Sequence, residues 1–215
     1  MNWLLVTPRA EIPIATDGGD VTAIVLAHGA GSHMEHRTML WLSGLLREAD
    51  AGVVRFNFAY RALGKPMPDR MPVLMETYRA VIADVRARLS PQRLIIGGHS
   101  MGGRVASMIA AEGDAPDGLL LFGYPLHPPG KFDKLRDAHL PLIKCPVLQF
   151  SGTRDEFCRR DLMEAVPVGE NYKVVWVDGA DHSYSISKAS GKTKKDVESD
   201  LATAISHWCL KKKQQ

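Results

Sequence analysis

The chain has 215 residues, 45% of them hydrophobic and 24% charged, with a formal net charge of +3. A chain of this length buries roughly 70% of the surface its unfolded form exposes, enough for one substantial core and cramped for two. The composition is that of a globular protein, the charge is too small to imply a nucleic-acid partner, and no apolar run approaches the roughly 18 residues that cross a bilayer. The expectation is one domain over residues 1–215, with no membrane partner. The N-terminal stretch has no basic leader and only a short apolar run, so it does not read as a signal peptide. Cys145, Cys158 and Cys209 are an odd number without C-x-x-C spacing. That suits reduced thiols in a cytoplasmic protein better than a disulfide framework or a structural zinc site.

In chain order, the first twenty residues allow one or two edge strands, given Pro8 and Pro13. Val21 to Ala27 is a β-branched apolar run that stops at His28-Gly29-Ala30-Gly31. Thr38 to Ala49 carries Met39, Leu42, Leu45 and Leu46 at helical spacing, and Val53 to Phe58 is a second strand-like run. Pro72 to Leu89 reads as a helix that ends at Ser90-Pro91. Arg93 to Ile96 runs into Gly97-Gly98, and Met101 to Glu112 is small, apolar and helical. Further strands are expected at Leu119 to Phe122, Pro146 to Phe150 and Tyr172 to Val177. A weaker helix is expected at Glu156 to Val166, and a final one at Lys195 to Leu210 with Val197, Leu201, Ile205 and Trp208 on one face. Continuous apolar strands alternating with helices predict a three-layer α/β/α sandwich around a mostly parallel sheet. Between Gly123 and Cys145 the prolines Pro125, Pro128, Pro129 and Pro141 predict extended loop, with at most one short helix near Phe132 to His139. No lid domain fits there, so an open, shallow cleft is expected.

Four loops at strand ends carry the chemistry. Gly98-His99-Ser100-Met101-Gly102 is a G-x-S-x-G turn between strand and helix, which projects a serine above the sheet edge and aims free helix N–H groups beside it. A serine needs a base, and the base needs an orienting acid. Asp155 follows the strand ending at Phe150, and His182 follows the strand ending at Val177. Ser100, Asp155 and His182 are therefore the candidate nucleophile, acid and base. The N–H groups of Met101 and Ala30 are the candidate oxyanion donors, with Gly31 the alternative to Ala30.

With these residues in this order, the sequence resembles the α/β-hydrolase fold over nearly its whole length. Tyr124-Pro125-Leu126-His127-Pro128-Pro129-Gly130-Lys131, Gly152-Thr153-Arg154-Asp155 and Asp181-His182-Ser183 resemble a narrower group. These are compact bacterial α/β-hydrolases related to a testis-expressed hydrolase-like protein and to a subunit of a metazoan histone-acetyltransferase complex. The resemblance implies a Ser-Asp-His hydrolase domain.

Each residue also has a plainer reading. Ser100 could cap the following helix, His182 could be a loop histidine bound to a carboxylate, and Asp155 could pair with Arg154 or Arg159. Asp161 is the next candidate acid, and Asp181 adjoins His182 too closely to face its ring. His28, His33 and His36 lie close together, but their spacing matches no zinc signature, so no metal and no cofactor are expected. His28 is expected to pack or hydrogen-bond in the oxyanion loop, and His99 to be structural. Tyr60, Arg61 and Tyr124 are the expected cleft walls, with Gly31 and Phe157 beside them; Met34, Met101 and Phe157 could line an acyl pocket. Arg61 could bind an anionic group or pair on the surface. The expected substrate is a small molecule with an ester-like bond. Thioester or peptide cleavage would use the same machinery, and a non-catalytic interaction module on the same fold is the alternative from another class.

Overall fold

All six apolar runs are strands in the computed structural model, which describes residues 1–18, 21–49, 51–114, 116–187 and 190–210, the side chains of 209 and 210 excepted. The strands are β1 (Asn2–Val6), β2 (Glu11–Asp17), β3 (Thr22–Ala27), β4 (Gly52–Phe56), β5 (Arg93–His99), β6 (Gly118–Phe122), β7 (Val147–Gly152) and β8 (Tyr172–Val177). The helices are α1 (Arg37–Glu48), α2 (Ala59–Ala62), α3 (Met71–Leu89), α4 (Met101–Ala111), α5 (Arg160–Glu164) and α6 (Lys194–Leu210). The strands form one eight-stranded sheet in the order β1-β2-β4-β3-β5-β6-β7-β8. From β4 to β8 neighbouring strands are parallel, whereas β1 and β2 are antiparallel additions.

The chain runs from β3 outward to β4, then crosses β3 to begin β5 and proceeds the other way. Loops leaving β3 and β5 therefore diverge above the sheet, and such a reversal opens a crevice at the strand C-terminal ends. α3 and α4 cover one face, where Val54, Phe56, Tyr78, Val81, Ile96 and Val105 form part of one core. α1 and α6 cover the other, where Ile24, Leu26, Leu42, Ile95, Phe150 and Leu201 form part of a second. Each fully buried side chain of this size contributes about 2 kcal/mol. The result is the expected three-layer α/β/α sandwich.

Several elements differ from expectation. Of the two N-terminal strands only β1 lies at a sheet edge; β2 lies between β1 and β4 although it contains Pro13. Asn57 N–H donates to the Pro13 carbonyl at 3.3 Å, just past the last β2–β4 register pair. A strand residue turns its N–H and C=O to the same side, so the missing donor falls where the ladder has already ended. Residues 132–139 form no helix. The segment between β6 and β7 carries a single 3-10 turn, at Leu140–Leu142, and no lid domain. The helix expected at 156–166 shrinks to α5, and α2 carried no periodic signal because it is a single turn.

Candidate active site

Ser100 alone makes the turn between β5 and α4, with φ 52° and ψ −118°. That φ is unfavourable for a side-chain-bearing residue and persists only when the surroundings enforce it. Here backbone packs directly on backbone. A Cβ at Gly98 would stand 2.5 Å from the Ala27 carbonyl oxygen, one at Gly102 2.3 Å from the same atom, and one at Gly103 2.8 Å from the Gly98 oxygen. The three glycines let α4 settle against the ends of β3 and β5. Ser100 N–H donates to the Phe122 oxygen at 2.9 Å, and the Ser100 side chain makes no capping bond to α4. Its hydroxyl is thus available. Beneath the turn, the Tyr78 hydroxyl reaches into the sheet, accepts from Gly97 N–H at 2.9 Å and lies 2.6 Å from the Val25 oxygen.

That available hydroxyl meets His182. Ser100 Oγ is 2.9 Å from His182 Nε2, and His182 Nδ1 is 2.9 Å and 3.0 Å from the two Asp155 oxygens. A carboxylate only accepts, so Nδ1 carries the proton and the Nε2 lone pair faces the serine O–H. The Asp155 side chain is fully buried, while 18% of the His182 side chain is exposed. Asp155 Oδ1 also accepts from Phe157 N–H at 2.8 Å, and the Phe157 ring lies 4.4 Å from the imidazole, centroid to centroid. The loops after β7 and β8 touch through backbone. A Cβ at Gly152 would come within 2.2 Å of the Ala180 oxygen, and Arg154 N–H donates to that oxygen at 2.9 Å. Asp161 pairs instead with Arg159 at 2.6 Å, and Asp181 Oδ1 accepts from Ser183 and Ser185 N–H, both at 2.9 Å.

His99 joins the Ser100 turn to the His182 loop. Its Nε2–H donates to the His182 carbonyl at 3.0 Å, and the two rings are 5.1 Å apart. Burial pushes its pKa down to about 4, with nearby His182 adding to the effect, so it stays neutral. His28 plays a parallel part in the loop after β3. Its Nδ1–H donates to the Gly29 oxygen at 2.8 Å while Nε2 accepts from Phe58 N–H at 3.2 Å. Burial lowers its pKa to about 4 as well. A trans peptide points its C=O and N–H in opposite directions, so fixing the Gly29 carbonyl also fixes the Ala30 N–H. Neither Ala30 N–H nor Met101 N–H donates to an acceptor among the described residues.

Residues 20–210 match the family model of the alpha/beta hydrolase domain. The chain belongs to that family. Among solved structures, the hydrolase domain is similar to Est1E from Butyrivibrio proteoclasticus with ferulic acid bound, at 16% identity over 97% of this chain and 98% of the other, with a TM-score of 0.79. It is similar to a serine hydrolase homologue from Coxiella burnetii at 18% identity over 96% of each chain, TM-score 0.75. It also resembles a serine hydrolase without lid from Xanthomonas campestris at 21% identity over 97% and 94%, TM-score 0.73. At these identities the likeness is one of fold.

The hydrolase domain departs from the sequence reading at its cleft walls. Tyr60 and Tyr124 have no exposed surface. The Tyr60 hydroxyl donates to the Ala30 oxygen at 2.7 Å, and burial pushes its pKa up to about 12. Tyr124 donates to the Arg136 oxygen at 2.5 Å. Both tyrosines hold loops from beneath instead of forming walls. Gly31 is exposed with open space around it, Arg61 is half-buried on α2, and Phe157 is half-buried against His182. The sequence reading missed two further supports of the loop after β3. Asn57 Oδ1 accepts from Met34 N–H at 2.8 Å, and Arg55 Nη1 donates to the Met34 oxygen at 2.7 Å. Their signal was present: Arg55 and Asn57 alternate within the otherwise apolar run Val53 to Phe58. His33 and His36 meet edge to face with ring centroids 5.9 Å apart, and His36 Nδ1 accepts from Thr38 N–H at the start of α1. Among the described residues, no group of three or more His, Cys, Asp or Glu side chains could hold a metal ion. Cys145 and Cys158 are unpaired, and the Cys209 side chain lies outside the described residues. Among the described residues no helix is long and apolar enough to cross a membrane.

Proposed function

We propose that this hydrolase domain is a cytoplasmic serine esterase acting on small-molecule carboxylic esters. The observation that carries the reading is the unbroken hydrogen-bond relay from Asp155 through His182 to Ser100. His182 Nε2 takes the Ser100 proton as Oγ attacks the ester carbonyl. The oxyanion that forms is held by the Met101 and Ala30 N–H groups, each such donor being worth about 3 kcal/mol in the transition state. His182 then protonates the leaving alcohol. Water, activated by the same base, releases the acid from the Ser100 acyl-enzyme. Asp155 keeps the proton on Nδ1 throughout and stabilises the imidazolium. Unpaired Cys145 and Cys158 support the assignment to the cytoplasm.

A fluorophosphonate probe together with a panel of aryl esters tests this. Stoichiometric labelling that Ser100→Ala abolishes is expected, and Asp155→Asn is expected to lower kcat by roughly 10⁴-fold because the imidazole tautomer is lost. A folded protein that neither takes the label nor turns over any ester would favour a non-catalytic interaction module on the same fold. Turnover of thioesters or peptides alone would move the assignment to those bonds.

A further inference from the structure

A cavity of about 500 Å³ lies between the start of α1, the segment following His182 and the approach to α6. Arg37, Lys192 and Lys194 line it, along with the Ser183 and Ser185 region and the Trp41 side chain; among the described residues no carboxylate does. Two of these three cations have an acidic partner outside the lining. Asp200 pairs with Lys192 at 2.8 Å and Glu198 lies 3.7 Å from Lys194, but neither lines the cavity. Glu198 also accepts from Trp41 Nε1–H at 2.7 Å, and Asp181 is taken up by backbone N–H groups of its own loop. Arg37 forms no ion pair among the described residues. The Trp41 ring, packed 5.6 Å from Tyr184 and 5.7 Å from the Lys194 ammonium, supplies a flat apolar surface. Such a lining favours a ligand with a planar or apolar body and an anionic end.

The cavity lining begins one residue past the relay, since Ser183 follows His182 directly. In an ester hydrolase the base must protonate the leaving alcohol, so that alcohol sits on the side of the base. We infer that this cavity receives a carboxylate carried on the leaving alcohol of the substrate, which makes the preferred substrates esters of aromatic or short aliphatic hydroxy acids. The inference rests on the esterase reading above and adds the substrate class to it.

Two measurements test it. The first compares kcat/KM for 3-acetoxybenzoate with that for its neutral methyl ester, in the native protein and in Arg37→Gln/Lys194→Gln. The ratio of anionic to neutral substrate is expected to fall roughly tenfold in the double variant, and to fall in the native protein as salt rises. Taking the ratio cancels the intrinsic reactivity of the two esters. The second titrates 3-hydroxybenzoate into Ser100→Ala protein by calorimetry, with saturable binding expected that the double substitution weakens by a similar factor. A ratio that does not move overturns the inference even where the neutral ester is hydrolysed and Ser100 takes the label, and so does a preference confined to esters with the carboxylate on the acyl side. Carboxylate binding in a protein that neither labels nor turns over ester would instead overturn the esterase reading, and with it the leaving-group assignment.

Discussion

The Ser100 turn and the His182 loop meet at one hydrogen bond, yet they are held by different forces. From Gly97 to Gly103 backbone lies against backbone, with no room for a methyl group at Gly97, Gly98 or Gly102. Around His182 the fixing contacts are a hydrogen bond from its Nδ1–H to Asp155, one that its carbonyl accepts from His99, and the ring of Phe157. The tasks explain the contrast. Ser100 must be kept in a conformation it would leave if free, and only steric closure on all sides enforces that. Under the proposed mechanism His182 gains and loses a proton, so its partners have to be polar groups that tolerate both states.

The sharpest way to break this comparison is to add methyl groups. Gly98→Ala and Gly102→Ala are each expected to cost about 3 kcal/mol or more in urea unfolding, because the opposing atoms are backbone and cannot step aside. Gly191→Ala, in the turn ahead of α6, has a φ of 68° and open space around it, so it should cost only about 1 kcal/mol. Equal losses would show that the turn is not sterically closed.

The two neutral histidines sharpen the comparison on its electrostatic side. His28 and His99 are held at about 4, below the ordinary histidine value of 6.5, so between these values the unfolded chain binds more protons than the folded one. Their contribution is complete above pH 6.5 and is lost as the pH falls toward 4. It is on the order of 3 kcal/mol each. The urea midpoint should drop over that window, and less so in His99→Gln. A flat profile would mean that these rings are not buried as neutral bases. The smallest effect concerns strain alone. Ser100→Gly should be about 1 kcal/mol more stable than Ser100→Ala, since glycine accepts a φ of 52° without penalty.

Much of the fold was legible because it is written in local pattern. Strands such as Val25 and Leu26 in β3, buried on both faces, leave continuous apolar runs, and α6 repeats its apolar residues at Val197, Leu201 and Ile205. Boundaries moved by a few residues where glycine interrupts the hydrophobic signal, as at Gly97 and Gly98, which belong to β5. The edge assignment of β2 failed because Pro13 was judged by composition, whereas its cost depends on which neighbour its missing N–H would face. The reading of Tyr60 and Tyr124 as walls failed for a related reason: position after a strand shows that a residue is near the rim, but not whether its side chain points up into solvent or down into the loops.

Most element types and their order follow from spacing along the chain, since periodicity and turn chemistry are short-range properties; Ser100 was singled out by its G-x-S-x-G turn, and Asp155 and His182 by their place after strands in the order the resemblance implies. The fold alone settled what bears on those residues from a distance. Arg55, Asn57 and Tyr60 brace the loop after β3, His99 holds the His182 carbonyl, and α1 and the approach to α6 close a cavity lined by Arg37, Lys192 and Lys194. Each of these contacts joins segments distant in sequence, and a contact of that kind leaves no period to read.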